Sequence, residues 1–130
     1  IGQFYDEFSG LCAMDALEDL LTREMTYLES DVTYPTQICV MQLLSGGSSF
    51  SRFSREYYRC LSVIVEKFFD EFDVQHLSRD QLQEQILRVT RGVLYDWCLH
   101  RGTYRLKDQS IHDMRLSIAG LFSEGYIRRC

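Results

Sequence analysis

Apolar residues recur along this chain with helical rather than strand spacing, and the breaks between them divide it into segments. Breaks fall at Ser9-Gly10, Asp31 to Pro35, Ser45 to Ser49, Val74 to Ser78 and Arg101 to Asp108. Between them the pattern predicts a short segment Gln3 to Phe8 and helices over Cys12 to Ser30, Thr36 to Leu44, Phe50 to Phe72, Arg79 to Arg101 and Gln109 to Glu124. With a single proline, Pro35, and few β-branched alternations, almost nothing reads as strand. Ser78 followed by Gln81 has the form of a capping box, and Gly102 supplies a helix stop.

At 100° per residue the helix after Ser49 puts Phe50, Phe53, Tyr57, Leu61, Ile64, Phe68 and Phe72 on one stripe, with Tyr58, Val65 and Phe69 on its flank. The helix after Ser78 carries Leu82, Ile86, Val89, Val93, Trp97 and His100 on one face. Leu87, Leu94 and Cys98 lie about 120° around from it, so this helix is expected to pack from two sides. The last helix has one stripe, Ile111, Met114, Ile118, Leu121 and Phe122. A one-sided helix beside a two-sided one suits an isologous dimer seam.

The fold expected is therefore all-α, a bundle of about five to six helices. Residues 1–130 form a single domain, because 130 residues hold one sizeable core and not two comfortable ones. Hydrophobic residues at 45% and charged residues at 25% are ordinary for a globular chain. The net charge of −5 and the absence of a basic stripe argue against a duplex-binding surface. Arg128 and Arg129 form the longest basic cluster, and a frayed terminus explains them. Five scattered cysteines without a Cys-x-x-Cys pair favour free thiols and a cytoplasmic setting. Neither a membrane span nor a signal peptide is visible.

Candidate chemistry is sparse. Asp96 with His100, and Asp73 with His76, have spacings at which two ligands could face one ion, but the further carboxylates of a metal bundle are missing, so no metal and no other cofactor is expected. No nucleophile elbow, phosphate loop or dinucleotide fingerprint occurs, and no catalytic residue is assigned; the chain does not read as an enzyme. Cys60 and Cys98 read as core thiols. Two polar residues interrupt apolar stripes: Glu24 among Leu17, Leu21 and Leu28, and His100 on the line of Ile86, Val93 and Trp97. Each either reaches solvent from a helix edge or anchors a ligand in an apolar cavity.

From Leu87 to Phe122 the chain runs as two amphipathic helices about a glycine turn, with Gly92 and Trp97 on the first. This stretch resembles the end of the regulatory domain in the tetracycline-repressor (TetR) family. ALEDLLTREMTYLES resembles that domain's first helix, YPTQICVMQLLS the short helix after it, and SREYYRCLSVIVEKFFDEF the long central one. The resemblance implies an effector-binding and dimerisation domain. Its partners would be a second copy, a small apolar or aromatic effector, and operator DNA only through an N-terminal helix-turn-helix that these residues lack. The effector would be lined by Glu24, Met25, Leu28, Phe53, Tyr57, Tyr58, Leu61, Trp97 and His100. The dimer seam would be built from Leu87, Leu94, Cys98, Ile111, Met114, Ile118 and Phe122, with the last two helices pairing into a four-helix interface. The alternative is a ligand-free helical module for dimerisation or protein interaction.

Overall fold

The computed structural model describes residues 11–31 and 48–129, with side chains described for 11–29 and 55–129. Its elements are α1 (Ala13–Asp31), α2 (Ser48–Glu71), β1 (Phe72–Val74), α3 (Arg79–Leu99), α4 (Leu106–Ser123) and β2 (Ile127–Arg129). The expected segments 3–8 and 36–44 lie outside the described residues, which hold four helices where five to six were expected for the chain.

The helices pack with their apolar stripes inward. Leu17, Leu20, Leu21 and Met25 of α1 meet Leu61, Ile64 and Phe68 of α2, Leu82 and Ile86 of α3, and Leu106 and Met114 of α4 in one cluster of fully buried side chains. Burial of each such side chain is worth roughly 1.5–3 kcal/mol, so this cluster dominates the stabilising side of folding.

Local signals fix both ends of α3 and the end of α4. Ser78 accepts from the Gln81 amide at 3.1 Å while the Gln81 side chain accepts from the Ser78 amide at 2.8 Å, so both halves of the capping box are made. The stop of α3 differs from the expectation by two residues. The helix ends at Leu99, and the left-handed C′ position is taken by Arg101 (φ 56°) before Gly102 (φ 68°). The Gly102 amide reaches back to the Trp97 carbonyl at 3.0 Å and the Arg101 amide to Cys98 at 3.1 Å, which is the Schellman arrangement. At the end of α4, Gly125 (φ 82°) takes the same position, with Tyr126 bonded to Leu121.

Two expectations fail at the chain's β residues. Phe72 leaves the helical stripe to begin β1, and Arg128 and Arg129, expected as a frayed end, join Ile127 in β2. The strands pair antiparallel, Phe72 with Arg129, Asp73 with Arg128 and Val74 with Ile127. Ile127 is buried, and the neighbouring Gln75 amide donates to Tyr126 at 2.8 Å. The ribbon survives at this length because Ile127 joins the helical core, which an isolated short hairpin could not do.

Helix α4 begins at Leu106, three residues before the expected Gln109. Its N-cap, Arg105, makes no side-chain cap bond. The cap comes instead from α1: the Glu29 carboxylate accepts the Lys107 amide at 3.0 Å, a non-local contact that no capping signature in the sequence records.

Candidate functional site

Helices α1 and α2 run antiparallel from a pin at one end. There the Ala13 amide donates to Glu71 Oε2 at 2.6 Å and Lys67 Nζ donates to the Leu11 carbonyl at 2.7 Å. Away from that pin, toward the end of α1, the same pairing brings Glu24 into electrostatic reach of Glu56. Glu24 is half-buried. Burial, with a smaller push from Glu56 and against a pull from Arg23, raises its carboxyl to about 7, far above the ordinary glutamate value. Glu56 Oε2 is itself shut off from solvent and accepts no hydrogen bond. The other Glu56 oxygen faces Arg59 Nη1 at 3.8 Å, so the buried Oε2 and the half-buried Glu24 carboxyl are the acceptors left for a proton or a positive charge.

The groups around this pair come from the stripes of α1, α2 and α3. Tyr57 and Cys60 both feel the Glu24 charge, and desolvation moves both upward: the phenol is held protonated, and the thiol is pushed to about 11. Tyr57 OH pairs with Thr90 Oγ1 at 2.8 Å, and Thr90 in turn donates to the Ile86 carbonyl at 3.0 Å. Among the expected effector-lining residues, Met25, Leu28, Tyr57, Leu61 and Trp97 are buried in the core, Glu24 and Tyr58 are half-buried beside it, and the Phe53 side chain lies outside those described. Tyr58 OH accepts from Arg91 Nη2 at 2.6 Å, so its polar tip turns outward toward α3.

His100 is not part of this group. It is the C-cap of α3, 57% exposed, with Nδ1 3.4 Å from Asp96 Oδ2. Because the helix has ended at Leu99, stepping at 100° no longer describes where its ring goes. Asp96 also accepts from Tyr104 OH at 2.9 Å, so the Asp96 and His100 spacing serves a surface network around the α3–α4 turn. Trp97 belongs to that turn as well, its indole N–H donating to the Tyr104 carbonyl at 3.0 Å. Asp73 accepts from Gln75 Nε2 at 2.9 Å, and no group of three or more histidine, cysteine or acidic side chains among the described residues could hold a metal ion. Among the described residues, no helix is long and apolar enough to cross a membrane.

The residues expected at a dimer seam are largely used inside the chain. Leu87, Leu94, Cys98, Met114 and Ile118 are buried by the chain's own packing, and Ile111 and Phe122 are partly buried against it, Phe122 edge-on to Phe72 at 5.2 Å between ring centroids. The second apolar face of α3 thus packs within the same chain. What α3 and α4 leave outside is a different set: Tyr95, Leu99 and Leu116 are exposed, and a Cβ at Gly92 or Gly120 would meet nothing within 4 Å. The glycines and exposed side chains gave no signal in the stripe reading, because they occupy the helix sides that the stripes leave blank.

No family model, no curated protein and no solved structure matches the chain.

Proposed function

We propose that this chain is a helical effector-binding and dimerisation domain of the kind TetR-like regulators carry. In this reading it binds a small amphiphilic molecule at the Glu24 end of the α1–α2 pair, and it passes the signal to a DNA-reading helix-turn-helix outside these 130 residues. The observation that carries the reading is Glu24, an acid held half-buried among core residues with its carboxyl raised to about 7. Such a group is costly by itself and becomes favourable when a ligand meets it with a hydrogen-bond donor or a cation. Met25, Leu28 and Tyr57 supply the apolar surround, and Glu56 a second acceptor. The effector would accordingly be an apolar or aromatic molecule bearing an amine or ammonium group.

Titration calorimetry with a hydrophobic ammonium compound and its uncharged isostere tests this. The ammonium compound is expected to bind more tightly, and Glu24→Gln to erase the difference. Equal binding of both compounds by the native chain, or none of either, refutes it.

A second reading, a ligand-free interaction module, is favoured by the outward apolar residues Tyr95, Leu99 and Leu116. Both readings use α3 and α4 for self-association, and they part on whether Glu24 meets a ligand.

A further inference from the structure

Among the described residues, the polar ties of α1 to its two long neighbours differ in kind. Toward α4 it is held at two separate points. Arg115 meets Glu18 through both Nε and Nη2, and Glu29 accepts the Lys107 amide at 3.0 Å while its other oxygen faces Arg105 Nε at 3.7 Å. Glu18 and Glu29 stand roughly 16 Å apart along the helix axis, so the Arg115 attachment resists sliding of α1 on α4 while the Glu29 contact sets the tilt of its far end. Toward α2, polar ties pin the Leu11 and Ala13 end, and further along α1 Glu24 lies within electrostatic reach of both Arg23 and Glu56.

The start of α4 has no cap of its own. Arg105 occupies the N-cap position in extended backbone (φ −78°, ψ 111°), which suits a serine or aspartate, but its side chain makes no cap bond. The first turn of α4 is therefore completed by a residue of another helix, and it is complete only while α1 is in place.

We propose that α1 and α4 act as one mechanical unit, latched by the Glu29 carboxylate on the α4 N-terminus, so that displacement of α1 at its Glu24 end is delivered to the start of α4. Glu24 and Glu29 share the last part of α1 and move together as rigid helix. A change at the acid pair alters the tilt of that part, and the tilt sets whether the Glu29 oxygen reaches Lys107. The Glu18–Arg115 pair, further back along α1, is the fulcrum. Glu29 is thus a positioning residue. The latch needs no effector: it can hold in a chain that binds no small molecule, and its failure would leave a ligand site at Glu24 untouched.

Amide hydrogen exchange over the whole chain, read residue by residue, tests this. Glu29→Ala is expected to speed exchange at Lys107 and, as the turn loosens, at Gln109, Ser110 and Ile111 by roughly fivefold, the size expected for loss of a cap. Amides in the middle of α2 keep their native rates. Glu29→Gln, which retains an acceptor oxygen, gives a smaller change, and it replaces the alanine variant if that one fails to fold. Arg105→Ser in the Glu29→Ala background builds a local cap and restores protection. Glu24→Lys then exchanges like charge for opposite charge against Glu56. It is expected to alter exchange in the first turn of α4 in the native background and to leave it unchanged in the Glu29→Ala, Arg105→Ser background. Loss confined to Lys107 in the Glu29 variants, no effect of Glu24→Lys, or an equal effect with and without Glu29, each overturns the latch.

Discussion

The Tyr57 phenol and the Thr90 hydroxyl meet at 2.8 Å in the core, tying α2 to α3 through a hydrogen bond between two buried side chains. The net worth of such a bond is about 1 kcal/mol. Tyr57→Phe and Thr90→Val are each expected to lower unfolding free energy by about that amount or somewhat more. Because both delete the same bond, the double variant should lose less than the two together. Urea titrations of the four proteins check this, and strict additivity would deny the coupling.

Glu24 predicts an unusual pH profile. Its carboxyl is raised from the ordinary 4.5 to about 7 in the folded chain, so between those values the native state holds a proton that the unfolded state has lost. Stability from this group is fully present below about 4.5 and is lost as pH rises through 7. Discounted for partial exposure, the loss is on the order of 1–2 kcal/mol. Glu24→Gln should flatten the profile over that window and exceed the native chain in stability at pH 8. Thermal melts at pH 5 and pH 8 measure the difference, and parallel profiles for the two proteins would contradict the assignment.

Ser110 predicts a gain on removal. The residue is 1% exposed and its Oγ has no hydrogen-bond partner, which costs the fold stability. Ser110→Ala deletes the orphan hydroxyl and installs the better helix former, so stability should rise by about 1 kcal/mol. A lower midpoint in urea for Ser110→Ala would show that the hydroxyl is satisfied in solution.

The proposed self-association through α3 and α4 predicts a division between two sets of substitutions. A charge at Leu94 or Ile118 strikes the core and should unfold the chain, whereas Leu116→Glu or Gly92→Arg alters only outward surface and should give folded monomer from dimer. Gly92→Ala should add roughly 0.5–1 kcal/mol of helix stability, since a Cβ there meets open space. Light scattering with circular dichroism reads both properties, and a native chain that is monomeric at micromolar concentration would remove the seam from α3 and α4.

Features written within one turn of chain were legible in the sequence. The Ser78–Gln81 box needs only residues three apart, and the stripe through Tyr57, Leu61, Ile64 and Phe68 needs only a helical repeat. What failed depends on distant partners or on where a helix stops. Val74 and Ile127 carry no mutual mark, so their pairing could not be read, and neither could the capping of Lys107 by Glu29. The apolar side of α3 at Leu87, Leu94 and Cys98 was readable as buried, but periodicity does not say whether the chain itself or a second copy covers it. Glu24 was picked out because an acid breaks a leucine stripe. Glu56 was missed because it lies beside the Phe53, Tyr57 and Leu61 stripe and does not interrupt it.

The short ribbon also bears on how the molecule reaches its native state. Pairing of Val74 with Ile127 closes a loop that contains the whole α3–α4 hairpin, so the contact comes with a large sequence separation, as do the contacts of α1 with α4. Closing such a loop is entropically unfavourable until α3 and α4 have already folded back on each other and shortened the gap. The ribbon should therefore form late and hold the finished bundle shut. Weakening it would speed unfolding while leaving the rate of folding almost unchanged.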